Sequence, residues 1–314
     1  MSRRAQRKAD RTFIYSFLFT FLILAIAVVT FYYLNSLQAI QHLPPTYDFK
    51  RSDWMKYVPP GAEKITIINF TQIFIKTGNE SFLPGESLLV FYNFSTELKV
   101  LDVKSVATAL YRNPDPNQED LALNIVRLEQ SPYLDLGKEL DEKGEIDFPY
   151  GGHTIVQVTG LIVNKSESAP EYVKAYVAMD EGYLLYSEGI RGLDLIKQSL
   201  DAVGGSSQFF EQQQVKASLY LLLSKMGDEL GFSYSTFPYA VRAVTSTSTS
   251  INYEEGLVVI RYVFAFGSTD DASKSLDGVK KANQEATDFQ IVDNYIVVTT
   301  KYGSNLLLRE LRAL

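Results

Sequence analysis

Between Phe13 and Leu34 the chain reads FIYSFLFTFLILAIAVVTFYYL, without a single charged residue. As a helix rising about 1.5 Å per residue, this run covers roughly 30 Å, the thickness of a bilayer's hydrocarbon layer. A buried core helix is seldom apolar on every face for this length, so the pattern predicts a transmembrane helix over residues 13–35. Phe31, Tyr32 and Tyr33 close the run where an aromatic belt belongs. A cleavable signal peptide would carry a shorter apolar core and a small-x-small site. The following FYYLNSLQAIQ offers no such site, so the expectation is a retained signal anchor in contact with membrane lipid.

Charge sets the orientation. Residues 1–12 hold Arg3, Arg4, Arg7, Lys8 and Arg11 against Asp10, a tail of +4. The positive-inside rule places this basic tail in the cytoplasm and everything after the helix outside it. The whole chain carries −7, so the remainder carries −11. Nucleic-acid binding needs a basic face, and an acidic extracytoplasmic part argues against it. Cysteine is absent, which removes disulfides, thiolate metal sites and thiol nucleophiles together. The domain is therefore held by its core, for which a 46% hydrophobic composition is ample.

Residues 36–60 read as a connector, stiffened by Pro44–Pro45 and Pro59–Pro60. Trp54 lies within it, and its expected place is a cap on the domain rather than the membrane interface. From Lys64 onward short apolar strands alternate with turns: Lys64–Phe70, Ser87–Phe94, Val103–Arg112, Leu121–Glu129 and His153–Val163. Tyr172–Asp180 and Tyr183–Ser187 form a hairpin turning at Glu181-Gly182, followed by a helix over Gly192–Val203. A longer amphipathic helix follows over Ser206–Leu230. The last third holds a strand over Gly256–Phe266, a helix over Ser268–Asn283, a hairpin over Phe289–Tyr302 turning at Asp293-Asn294, and a helix over Ser304–Leu314.

The two halves echo each other. Tyr183-Leu-Leu-Tyr-Ser-Glu and Tyr295-Ile-Val-Val-Thr-Thr are both second strands of hairpins, each followed by an apolar helix. Upstream of each lies a strand and a polar helix, Leu121–Glu129 with Tyr133–Lys143 and Gly256–Phe266 with Ser268–Asn283. Phe-Pro-Tyr recurs at 148–150 and 237–239. This is the order of split β-α-β units. The expected fold class is α+β: a first lobe over 61–203, a connecting helix over 204–231 and a second lobe over 232–314, with internal duplication as a candidate origin.

The chemical inventory is thin. Histidine occurs at 42 and 153 alone, whereas a zinc site takes two or three. His153 reads as a turn residue. A Gly-x-Ser-x-Gly elbow, a Walker loop and GxGxxG are all missing. The oxygen-rich run Asn113-Pro-Asp-Pro-Asn-Gln-Glu-Asp120 lacks the glycine of a calcium loop and reads as a solvated turn. The acidic pairs Asp141-Glu142, Asp180-Glu181 and Asp270-Asp271 fall at turns and helix starts, where carboxylates cap amides. No residue is assigned a catalytic, cofactor-binding or metal-binding role, and no cofactor is expected. Thr245–Ser250 reads as a loop or polar edge strand.

Asn69, Asn79, Asn93 and Asn164 head Asn-x-Ser/Thr sequons on the expected outer side, making them candidate glycosylation sites. Twenty tyrosines suit an interaction surface. The pattern points to a non-catalytic, membrane-anchored surface protein that meets another membrane or envelope protein. The alternatives are a receptor holding a small ligand between two lobes, or an envelope hydrolase whose carboxylates converge within about 5–10 Å. Alkaline carbonate washing tests the anchor. The full-length chain is expected to stay in the membrane pellet and a chain lacking residues 1–35 to be released; release of both overturns it.

Overall fold

The computed structural model describes residues 53–78, 87–89, 91, 94–96, 98–99, 102–113, 120–162, 171–203, 229–236 and 243–314, all within one compact unit, Phe49–Leu314. Several expectations lie outside the described residues: the tail and anchor, most of the connector, nearly all of the 206–230 helix, residues 114–119, the second Phe-Pro-Tyr, and Asn79, Asn93 and Asn164. No helix among the described residues is long and apolar enough to cross a membrane.

A mixed α/β architecture with one large antiparallel sheet organises the described chain. In sequence order the strands are β1 (Lys64–Asn69), β2 (Ser87–Leu89), β3 (Leu98–Lys99), β4 (Val103–Tyr111), β5 (Leu121–Leu128), β6 (Ile146–Tyr150), β7 (His153–Ile162), β8 (Glu171–Asp180), β9 (Tyr183–Glu188), β10 (Gly231–Ser235), β11 (Val244–Glu254), β12 (Leu257–Phe266), β13 (Asp288–Val292) and β14 (Tyr295–Gly303). The helices are α1 (Phe70–Thr77), α2 (Gln130–Lys143), α3 (Gly192–Ala202), α4 (Thr269–Ala282) and α5 (Leu307–Ala313). Twelve strands form one sheet in the order β13-β14-β12-β11-β10-β1-β4-β5-β9-β8-β7-β6, with β2 and β3 as a separate pair.

Local chemistry explains the breaks. The Asn69 side chain accepts from the Gln72 amide at 3.1 Å and starts α1 directly off β1. Ser268 does the same for α4 through the Asp271 amide, with Asp270 and Asp271 in the first turn and Lys280 and Lys281 in the last, as the helix dipole favours. Glu181 and Asp293 take left-handed φ values of 44° and 53° at the two expected hairpin turns.

The two faces have separate cores. One face packs Ile65, Leu123, Ile125, Leu185 and Val263 with Leu195 and Ile196 of α3 and with Trp54 and Tyr57 of a 3-10 turn over Asp53–Tyr57. Trp54 is thus a cap of the domain. The opposite face packs Val126, Val156, Val177 and Leu184 under Leu136 and Leu140 of α2, and Ile251 and Ile260 under Leu307 and Leu311 of α5. Phe264, Phe266 and Val298 lie on that face under Ala272 and Val279 of α4.

The pairing ladders of the two halves match residue for residue. On the face under α2, α4 and α5, Thr66 of β1 sits opposite Ser233 of β10. Outward from Thr66 come Thr108, Asn124, Tyr186 and Val177, one per strand through β8. Outward from Ser233 come Thr249, Tyr262, Val298 and Phe289, one per strand through β13. The same stepping carries Tyr183 onto Tyr295. It also carries the register shift at Val103/Ser105 onto that at Val244/Ser246. Both α2 and α4 have 14 residues. The hairpin β6–β7 exists in the first half alone.

Glu139 of α2 ties down the segment before β3. Its carboxylate accepts from the Ser95 amide at 3.0 Å, the Thr96 amide at 2.9 Å and Lys143 Nζ at 2.8 Å, and from the Ser95 hydroxyl. Burial raises its pKa, but these hydrogen bonds outweigh it and hold the carboxyl well below the usual carboxylate range. A depressed folded pKa adds stability above the ordinary value near 4.5 and loses it as the pH falls below that value. Glu139→Gln is expected to cost about 1–3 kcal/mol at neutral pH, because two amides lose a charged acceptor. The deficit should shrink in urea melts below pH 4; a constant deficit would contradict this account.

Candidate functional site

The transverse row through Thr66 and Ser233 is apolar at its flanks and polar in the middle. Val156, Val177 and Tyr186 on one flank and Val298 on the other are buried, beneath α2 and α4 respectively. Between them run Asn124, Thr108, Thr66, Ser233, Thr249 and Tyr262, on six adjacent strands. At about 4.8 Å per strand this polar strip is roughly 24 Å across. All but Ser233 are half-buried. Thr108 donates to Asn124 Oδ1 at 2.8 Å, and Thr66 donates to the Leu314 carbonyl at 3.4 Å. A sheet face under a helix is normally apolar; a hydroxyl strip there signals contact with water or a ligand.

Helix α5 closes one side of the strip and makes a cleft of roughly 230 Å³. Its floor is Ser233 and Ser235 of β10, Thr247 and Thr249 of β11, and Tyr262 of β12. Lys64 of β1 and Glu310 of α5 also line the cleft, and Ile251, Ile260 and Leu314 are its apolar lining. Ser233 is opposite Thr249, and Ser235 is opposite both Thr247 and Lys64, so the hydroxyls form a grid. Lys64 has no ion pair among the described residues. The Glu310 carboxylate accepts from Arg309 Nε at 2.7 Å, and the Arg309 guanidinium lies 5.7 Å from the centre of the Tyr302 ring. Burial, with the 2.8 Å hydrogen bond to Glu285, pushes the Tyr302 phenol up to about 12.

The cleft exists in one half because the terminal helices diverge. Stepping along the ladder carries Gly192, the start of α3, onto Ser304, the start of the 3-10 turn over Ser304–Leu306 that leads into α5. Yet α3 packs on one face of the sheet and α5 on the other. Gly231 permits the α5 approach: a Cβ there would stand 2.5 Å from Leu314 Cδ1 and 3.0 Å from Leu311 Cδ2.

The polar run Thr245–Ser250, expected as a loop or edge strand, is corrected by the structure. It lies inside β11, an interior strand between β10 and β12. Its odd positions Thr247 and Thr249 face the cleft, and its even positions Ser246, Ser248 and Ser250 are buried on the other face. Alternation of two polar sets hid the strand; the β-branched threonines were the available signal. His153 starts β7 at a tight turn, with Nδ1 4.0 Å from Asp180 Oδ1, while Asp180 accepts from the Tyr57 hydroxyl at 2.7 Å. Burial and Asp180 together raise the Tyr57 pKa far above its ordinary value, so this group fastens the 3-10 turn to the β8–β9 hairpin. The acidic pairs stay apart from the cleft: Glu181 meets Lys56, Asp270 meets Lys274, and Asp271 accepts from Ser268. Asn69 is half-buried with its oxygen committed to the α1 cap, and Thr71, third in its sequon, donates to the Lys104 carbonyl at 3.4 Å. Ser95, third in the Asn93 sequon, is held by Glu139.

No protein-family model matches the chain, and no curated protein matches it. Among solved structures it is similar to crystal form I of the protein TP0453, with a TM-score of 0.45 and 10% identity over 84% of this chain and 99% of that one. Crystal form III of the same protein gives 0.45 and 9%, over 83% and 98%. Gly231→Val is expected to push α5 outward and cost about 1–3 kcal/mol. Thermal melting and limited proteolysis after Lys301 would read this; unchanged melting would show that Leu311 and Leu314 repack without strain.

Proposed function

We propose that the chain is a membrane-anchored, non-catalytic recognition module, held by residues 13–35 with its sheet domain outside the cytoplasm. In this reading two split β-α-β lobes, 61–203 and 232–314, descend from one duplicated unit and share a sheet. The shared ladder register, the matched strand irregularities and the equal lengths of α2 and α4 support the duplication. Its partner is another membrane or envelope protein, and the sequons that are reached carry glycans.

The observation that carries the reading is the contrast between the two sheet edges. Edge strand β6 contains Pro149, which cannot donate to an incoming strand, and an exposed Asp147. Edge strand β13 also opens on an exposed Asp288 but holds no proline, and its other end carries two adjacent apolar residues, Ile291 and Val292, 42% and 37% exposed. An edge whose every backbone amide can donate, with apolar side chains at one end, fits strand addition by a partner segment. A second reading, a small-ligand receptor, is favoured by the polar cleft where the halves meet. The hydrolase reading has less support: Glu310 is the single acidic side chain lining the cleft among the described residues, and Arg309 already holds it.

Extraction of the tagged, full-length protein in mild detergent should recover a stoichiometric envelope partner. Ile291→Lys should abolish that recovery and change stability by no more than about 0.5 kcal/mol, since the side chain is exposed. A wild-type chain that purifies alone, or an Ile291→Lys chain that keeps its partner, refutes the edge-strand mode.

A further inference from the structure

We propose that the cleft between α5 and strands β10–β11 binds one neutral sugar unit, either a free monosaccharide or the end of a glycan. The proposal rests on the small-ligand reading above and names the ligand's chemistry.

Size is the first constraint. At roughly 230 Å³ the cleft falls below the roughly 300–1,000 Å³ of pockets for drug-sized molecules, which leaves room for about one ring and its substituents. The floor comes next. Ser233, Ser235, Thr247 and Thr249 line it with four hydroxyls, Ser233 already accepting from Thr66 at 3.5 Å, and a hydroxyl can donate one hydrogen bond while accepting others. Cross-strand neighbours sit about 4.5–5.5 Å apart, and residues two apart along a strand about 6.6 Å apart. A ligand answering such a grid carries several hydroxyls of its own on a compact frame.

Two charged side chains line the cleft. Lys64 can only donate hydrogen bonds, and Glu310, already accepting from Arg309 at 2.7 Å, can only accept more of them. A small anion would satisfy Lys64 but leave the remaining acceptor sites of Glu310 unmet, and a small cation would meet the reverse conflict. A diol donates with one hydroxyl and accepts with its neighbour, so it answers both residues without net charge. The walls complete the match: Ile251, Ile260 and the half-buried ring of Tyr262 offer an apolar surface to the C–H face of a pyranose. The corresponding region of the first half lacks these features. Asn124 replaces Tyr262 there, Val106 replaces Thr247, and α3 lies on the opposite face. One site per chain follows.

Isothermal titration of the full-length protein in detergent with glucose, galactose, mannose and N-acetylglucosamine, each alone, tests the proposal. At least one sugar should bind saturably at a ratio of one per chain with a millimolar dissociation constant. Lys64→Met and Thr249→Val should each weaken that binding tenfold or more with melting temperature preserved. Ile291→Lys should bind as wild type does, which separates this site from the partner edge. Saturation by acetate or phosphate but by no sugar would overturn the proposal, as would the absence of any saturable sugar binding. Sugar binding indifferent to Thr249→Val and Lys64→Met would place it elsewhere and overturn it equally.

Discussion

The pairing of β1 with β10 is the contact on which the rest depends. Each strand is short, and each lies at the inner boundary of its own half. Without their ladder the chain would present two half-sheets, each with an unpaired inner edge and with the core beside the seam exposed. With it, the two faces become continuous: Ile65 and Ile67 share a core with Phe232 and Tyr234 across the seam. The backbone groups satisfied at the seam are few, but the apolar surface buried beside them is large, and its removal from water contributes most of the stabilisation there. The seam also fixes register. A one-residue slip would turn Ile65 and Phe232 toward the polar strip and Thr66 and Ser233 into the apolar core, a penalty that grows with every strand that follows.

Symmetry about that seam makes the departures informative. Where the halves agree, the agreement is structural: α2 and α4 cover equivalent flanks, and equivalent rows are apolar beneath them. Where they differ, the difference builds something. The β6–β7 hairpin extends one end of the sheet and leaves a proline-guarded edge, while the other end stops at β13 with an open one. The terminal helices choose opposite faces, so one half of the polar strip gains a wall and becomes a cleft. Neither change disturbs the central ladder, which is why the scaffold can carry them.

Much of this was legible in the residues. The hairpin turns at Glu181-Gly182 and Asp293-Asn294, the Ser268 cap and the echo of Tyr183 by Tyr295 rest on local chemistry and appear at the expected positions. Several elements escaped, β3 and β6 among them, and three others show why. Helix α1 escaped because Asn69 reads as the end of a strand and also as a sequon, and its use as a cap depends on φ and ψ at that residue. Strand β10, Gly-Phe-Ser-Tyr-Ser, is too short for its alternation to stand out beside its glycine. Strand β11 is polar on both faces, and alternation of apolar with polar residues is the signal that marks a strand. The cleft was illegible for a related reason: its floor joins residues from β10, β11 and β12, and no local pattern reports which strands become neighbours.

The polar strip also bears on how such a domain tolerates hydroxyls at the middle of its sheet. A buried hydroxyl without a partner costs stability, and Ser248, on the other face of β11, is one: it is 2% exposed with no hydrogen-bond partner. The strip escapes that cost by remaining half-open, so Thr66, Thr108 and Thr249 can hydrogen-bond to each other's neighbours, to water or to a guest. Filling the strip with valine would make a more conventional core but would also invite α5, or a second copy of the sheet, to close over it. Keeping threonine there preserves β propensity through the branched Cβ while denying the surface to apolar partners. The hydroxyls thereby hold the groove open, and an open groove between two rigid flanks is the precondition for any ligand to enter it.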